Sequence, residues 1–250
     1  MNWRYGIYLI LFFLILSCEE EKEWYLHTKN LPVIVVDGIL TNEKKAHEIR
    51  LTRPVTEMNQ TPKPVSSALV AVFDGSKVYI LHEDPVNPGL YKTIPEFRAL
   101  YGKQYMLYIK FQDQEYTANA SMKPVTPLKP INISYVGELF KIELQDSDEP
   151  SMIEVYLDWS HLPGYKNKSA DETHAKLVFY SLNSIDVNEM FKPGKETILF
   201  PGGTKILRKK YSLSDDHQKF LRTMLSETEW KGGVFDVLPG NVYTNLSEGA

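Results

Sequence analysis

The chain has 250 residues, 43% of them hydrophobic and 24% charged, an ordinary globular balance that suits one or two domains. Its formal net charge of -4 leaves no basic excess to neutralise phosphates, which argues against a nucleic-acid partner. The single cysteine excludes an internal disulfide and any cysteine-rich metal cage.

Arg4 stands in a short leader with no acid before Glu19, followed by an apolar run over residues 6–16. A run of that length cannot span a hydrocarbon core of roughly 30 Å, which takes about 20 apolar residues as a helix. It has the length of the apolar region of a signal peptide. Leu14-Ile15-Leu16-Ser17-Cys18 closes it and resembles the lipobox of bacterial lipoproteins. That resemblance implies cleavage between Ser17 and Cys18, diacylation of Cys18 and acylation of the new N-terminus. Two or more acyl chains anchor a protein stably where one does not. An ordinary secretory leader with a chance cysteine would leave unexplained why small residue, cysteine and end of the apolar run coincide. Residues 1–17 are therefore read as a lipoprotein signal peptide and 18–30 as an acidic tether. In the tether, Glu19, Glu20 and Glu21 begin a run that resembles the surface-export signal of Bacteroidota lipoproteins. A solvated spacer between lipid and domain accounts for the same residues.

From Leu31 onward strands dominate. Residues 31–40 are β-branched and apolar, as a buried strand would be, and 47–53 alternate apolar with polar residues. Residues 68–73 and 77–82 face each other across Asp74-Gly75-Ser76, where glycine admits a positive φ without steric cost. Residues 104–111 and 115–122 predict a second hairpin about Gln112-Asp113-Gln114. Short strands at this regular spacing predict an immunoglobulin-like β-sandwich over 31–122. Three prolines in residues 123–130 interrupt the pattern and mark a linker. Residues 131–250 then predict a second β-rich domain, with strands near 131–136, 140–144, 152–159, 176–180, 198–200 and 204–211. One helix is expected near 214–229. Ser214 is placed to cap it, Asp215 and Asp216 occupy its first turn, and Phe220, Leu221, Met224 and Leu225 share one face.

Catalytic motifs are wanting: there is no nucleophile elbow, phosphate-binding glycine loop or zinc-protease helix. The doubled D-x-x-H, Asp158 with His161 and Asp171 with His174, carries zinc-compatible ligands at non-standard spacing and reads better as solvated loop residues. Asp146, Asp148 and Glu149 begin like a calcium loop, but Met152 and Leu157 occupy the positions where an EF-hand needs Gly and Glu. The basic run of residues 205–210 suits an edge strand protected by lysine more than an anionic-lipid site. Tyr156, Trp159 and Trp230 could stack on a sugar ring, though aromatics at strand positions are usually core. The expectation is a protein without catalytic residues, metal or cofactor.

The succession of Val33-Ile-Val-Val-Asp-Gly-Ile-Leu40, Pro64-Val-Ser-Ser-Ala-Leu-Val-Ala-Val-Phe-Asp-Gly75, Gly89-Leu-Tyr91 and Gly102-Lys-Gln-Tyr-Met-Leu107 is distinctive. So is the ending in Gly232-Gly-Val-Phe-Asp236, Leu238-Pro-Gly-Asn-Val242 and Ser247-Glu-Gly-Ala250. Together they resemble a Bacteroidota outer-membrane lipoprotein family known as domain of unknown function number four-two-four-nine. The first half is also similar to the small immunoglobulin-like modules that accompany TonB-dependent outer-membrane systems. These resemblances imply a non-enzymatic, surface-exposed outer-membrane lipoprotein that accompanies a TonB-dependent receptor, with its ligand unnamed. A structural or adhesive surface protein is the alternative; a carbohydrate-binding module or an enzyme fits less well. Family members continue past Gly-Ala with an apolar Leu-Gly-Tyr-Phe strand, whereas this chain stops at Ala250. The second domain is thus expected to lack its closing strand and to leave an unpaired edge beside residues 242–246.

Overall fold

A computed structural model describes residues 33–55, 60–143, 147–182, 197–228 and 240–247. Ser17, Cys18, Glu19, Glu20 and Glu21 lie outside the described residues, as do Trp230 and the glycine-rich stretch from Gly232. The protein is mainly β, with a seven-stranded sheet, two smaller sheets and two helices among the described residues.

The large sheet comprises β1 (Val35–Gly38), β2 (Glu48–Thr52), β3 (Leu69–Phe73), β4 (Val78–Glu83), β5 (Leu90–Lys92), β6 (Gln104–Phe111) and β7 (Gln114–Ser121), in the order β1-β2-β5-β4-β3-β6-β7. Every pairing is antiparallel. β4 and β5 share only the pairs His82↔Lys92 and Glu83↔Tyr91, so one narrow seam joins the two halves and the sheet curls there. A single core fills the curl, with Ile49 and Leu51 of β2, Val70 and Val72 of β3, Tyr91 of β5, Ile109 of β6 and Tyr116 of β7 all buried. Asp74-Gly75-Ser76 makes the expected hairpin: Gly75 has φ 89, and Asp74 accepts the N–H groups of Ser76 and Lys77. The second hairpin closes more tightly than expected, since Phe111 pairs with Gln114 and leaves only Gln112 and Asp113 in the turn.

β5 escapes the strand pattern of the sequence because it is only three residues long and follows directly on a glycine. It is nonetheless central. The buried Tyr91 hydroxyl donates to the Val65 carbonyl at 3.0 Å and accepts the Ala68 N–H at 2.9 Å, tying β5 to the segment that leads into β3. Such pairing is needed, because an unpartnered buried hydroxyl or amide costs about 1–3 kcal/mol.

The second half holds a two-stranded sheet, β8 (Ile133–Val136) with β9 (Leu139–Ile142), and a three-stranded sheet ordered β11-β10-β12. Here β10 is Ser151–Asp158, β11 is His174–Ser181 and β12 is Lys205–Ser212. A short helix α1 (Ala170–Thr173) leads into β11, and α2 (Asp215–Thr228) follows β12. Ile153, Val155 and Leu157 alternate along β10 into one apolar cluster with Trp159 and Phe200. Met152, on the opposite face, joins Leu213 and Leu221 under α2. Residues 198–200 form no named strand; Phe200 makes an isolated bridge to Phe140.

Helix α2 starts where its caps dictate: the Ser214 hydroxyl accepts the N–H of His217, and Asp215 and Asp216 fill the first turn. Of the expected apolar face, Leu221 and Leu225 are buried and Met224 packs beside them, whereas Phe220 is 38% exposed and Gln218 is buried in addition. Gln218 takes the inner position because its amide donates to the Leu213 carbonyl, so burial leaves that polar group partnered.

Residues 123–130 lie against the second half. Ser212 Oγ donates to the Lys123 carbonyl, Lys210 Nζ to Thr126 Oγ1 and Arg208 to the Lys129 carbonyl. Residues 242–246 do not pair with the β11-β10-β12 sheet. Tyr243 bonds to Asp216 and Thr223 on or beside the α2 surface, and Leu246 bridges to Ala118 of β7 in the first sheet. The reason is visible in the partners: β7 is an edge whose Thr117 N–H and C=O are free to bond Ser247 Oγ and Ser247 N–H.

Candidate functional site

Strand alternation and register together build a trough across one end of the β11-β10-β12 sheet. Because successive side chains point to opposite faces, Glu154, Tyr156 and Asp158 of β10 share the face away from the apolar cluster. Register places Asp158 between His174 and Lys205, Tyr156 between Lys176 and Leu207, and Glu154 between Val178 and Lys209. Charged residues far apart in sequence thus meet in rows. The trough has a volume of about 550 Å³, and Ala170 and Asp171 of α1 stand at its rim.

In the outer row, His174 Nε2 is 3.4 Å from Asp158 Oδ1. The same oxygen accepts the Ser160 hydroxyl at 2.7 Å and the Ser160 N–H at 2.9 Å. Those two bonds are the main reason the Asp158 carboxyl is held below its usual range. Farther in, Glu154 is buried, which alone would raise its pKa. Lys176, Tyr156 and Tyr211 all donate to it and reverse the sign, so the carboxylate is favoured. The same arrangement pushes the Tyr211 hydroxyl up, burial first and its hydrogen bond to Glu154 second. At the inner end Lys209 reaches out of the sheet to Glu43, in the β1–β2 loop of the first half, at 2.9 Å. Glu43 is lowered to about 2 by hydrogen bonds from Lys45 and then from Lys209.

The doubled D-x-x-H takes on a different meaning here. The structure pairs one residue from each copy, Asp158 with His174, because β10 and β11 are antiparallel neighbours ending at those two residues. Asp171 lines the same trough, while His161 is exposed and takes no part in it. No group of three potential ligands is placed to hold a metal among the described residues. Of the acidic turn, Asp146 lies outside the described residues, Asp148 pairs with Lys129, and Glu149 takes Thr126 and Lys210. The basic run is absorbed in the same way at Arg208, Lys209 and Lys210, leaving Lys205 at the trough. Trp159 is core, 7% exposed, with its indole N–H donated to the Glu172 carbonyl. Tyr156 is half-buried with Lys176 Nζ 5.2 Å from its ring centre. The sequence alone does not mark Lys176 and Lys205 as parts of a site, since only the register of three strands brings them beside Asp158.

A family model described as Domain of unknown function (DUF4249) matches residues 19–250. The chain belongs to this family. No curated protein and no solved structure matches it. Within this DUF4249 chain the Gly-x-Tyr pair, Gly89 and Tyr91, serves the core of the first sheet rather than the trough. So does Tyr105 of the Gly-x-x-Tyr segment, whose hydroxyl accepts the Leu100 N–H.

Proposed function

We propose that this DUF4249 protein is a non-enzymatic lipoprotein, held at the outer membrane by acyl chains on Cys18 and displayed at the cell surface. There it acts as a binding or accessory component of a TonB-dependent transporter. The observation that carries the anchoring is the meeting of two boundaries: the short apolar leader ends at Ser17-Cys18, and the family match begins at Glu19. A lipid on Cys18 would supply a stable membrane anchor; no helix among the described residues is long and apolar enough to cross a membrane. The non-enzymatic reading draws support from two buried or part-buried carboxylates of the second half. Glu149 and Glu154 are occupied by protein donors, so neither is left free as a general base. The link to a transporter rests on the family resemblance.

Cys18→Ala is the decisive variant. It should release the protein from the membrane fraction and abolish incorporation of a labelled fatty acid. Retention of Cys18→Ala in washed membranes would refute the anchor. Replacing Glu19, Glu20 and Glu21 with Ala while keeping Cys18 tests display: the variant should stay lipidated but resist protease added to intact cells. Co-purification of a β-barrel receptor with the lipidated protein tests the transporter association.

A further inference from the structure

We propose that the trough across the β11-β10-β12 sheet binds a short zwitterionic peptide of about three residues. Lys205 holds its carboxylate and Asp171 its terminal ammonium. This goes beyond the membrane anchor and does not depend on it.

The charge pattern selects the ligand class. Glu154 and Lys176 neutralise each other, and Asp158 and His174 are in contact. Lys205 and Asp171 also line the trough, and neither forms an ion pair or a side-chain hydrogen bond among the described residues. Both are exposed. They carry opposite signs and stand on opposite sides, Lys205 on β12 and Asp171 on α1 beside β11. A lone anion would meet Lys205 but be repelled by Asp158 and Asp171, and a lone cation would meet the reverse. A ligand with one charge of each sign at its two ends satisfies both.

Distance selects the length. β11 and β12 flank β10, so the two walls are two inter-strand spacings apart, roughly 10 Å. An extended peptide advances about 3.3 Å per residue, so three residues match that spacing. The volume of about 550 Å³ suits such a ligand, lying within the range of about 300–1,000 Å³ usual for small-ligand sites.

The floor between the two charges has the right chemistry for a peptide. Ser160 and His174 both meet Asp158 at Oδ1, leaving Oδ2 to accept a peptide N–H from the ligand. Leu207 is 56% exposed and offers apolar contact for a side chain. A sugar would want the ring face of Tyr156, over which Lys176 already sits.

The probe is radiolabelled trialanine, measured by equilibrium dialysis against the full chain in detergent. Saturable binding is expected. N-acetylation or C-terminal amidation of trialanine should each weaken it at least tenfold, and free alanine should not compete. Two exposed-site variants assign the ends. Asp171→Asn should lose the penalty for N-acetylation and Lys205→Gln the penalty for amidation, each with an unchanged circular dichroism spectrum. The proposal is overturned if trialanine shows no saturable binding at millimolar concentration. It is equally overturned if the doubly blocked peptide, free alanine or a neutral monosaccharide binds as well. Because dialysis in detergent does not read membrane retention, these outcomes leave the Cys18 anchor untouched.

Discussion

Gly89 is the glycine at which the first sheet can least accommodate an added side chain. Its φ is +76, and a Cβ there would lie 2.7 Å from the Leu51 carbonyl oxygen, 2.9 Å from Pro64 Cβ and 3.1 Å from the Val65 nitrogen. Two of these neighbours are backbone, and they are tied down: Leu51 N–H donates to the Gly89 carbonyl, and Val65 N–H to the Leu51 carbonyl. Gly102 is its control, with φ +74 and nothing within 4 Å of the added carbon. Gly102→Ala incurs only the left-handed backbone penalty, about 1–2 kcal/mol, less about 0.4–1 kcal/mol from a stiffer unfolded chain. Gly89→Ala adds overpacking against fixed backbone, typically about 1–3 kcal/mol more. For a chain of this size each kcal/mol moves Tm by about 2–4 °C. Gly89→Ala should therefore melt roughly 2–18 °C below the parent and Gly102→Ala no more than about 6 °C below it. Differential scanning calorimetry of the two variants side by side makes the comparison. Equal losses would show that positive φ alone explains Gly89, and would refute the close approach of β5 to β2 and the 64–65 segment.

Two further predictions concern pH, and their signs follow from different groups. His47 is 1% exposed, with Nε2 against the Thr41 hydroxyl and Nδ1 against the Lys45 carbonyl; burial first and the Lys45 charge second lower its pKa from 6.5. Burial also lowers His217. The unfolded chain therefore takes up protons that the folded chain refuses, so stability is complete above pH 6.5 and falls as pH drops below it. Urea midpoints between pH 7 and pH 5 should show that slope, and His47→Asn with His217→Gln should flatten it. Glu43, lowered from 4.5 to about 2, contributes stability above pH 4.5 that is lost as pH falls toward 2. Lys209→Ala removes one of its two donors, so its titration followed by NMR should move up toward 4.5; an unchanged midpoint would deny the Glu43–Lys209 contact.

Strand positions in this protein are legible where residue type and alternation speak for themselves. β6 and β7 lie within a residue of the expected spans, and the Asp74-Gly75 turn closes as glycine chemistry requires. The three residues of β5 are too few to show any periodicity; the only trace is Gly89-Leu-Tyr91, whose meaning depends on contacts from Val65 and Ala68. α2 is legible from Ser214 and the two acids, and Leu221 and Leu225 of its apolar face are buried; that Gln218 joins them is not legible, because its burial depends on the Leu213 carbonyl that its amide meets. The trough is the least legible. Asp158, His174 and Lys205 come from three strands separated by long connections, and no spacing rule within one segment marks them as neighbours.

Side-chain contacts and the last described residues tie the two halves together. The halves share no paired strands among the named elements. Lys209 reaches Glu43 from one row of the trough face. Leu246 and Ser247 return to the β7 edge after Tyr243 has bonded to Asp216 and Thr223. Exposed ion pairs contribute little each, about 0–1 kcal/mol. The return to β7 differs in kind, because it satisfies backbone groups of an edge strand and packs Leu246 against the core of the first sheet. The relative placement of the halves therefore depends more on residues 246–247 than on the Lys209–Glu43 ion pair. Lys209→Ala should shift the Glu43 titration without separating the halves, whereas Leu246→Asp should loosen the β7 edge itself. Hydrogen exchange at the Thr117 N–H separates the two cases: faster exchange in Leu246→Asp and unchanged exchange in Lys209→Ala are expected, and the opposite pattern would assign the tie to the ion pair.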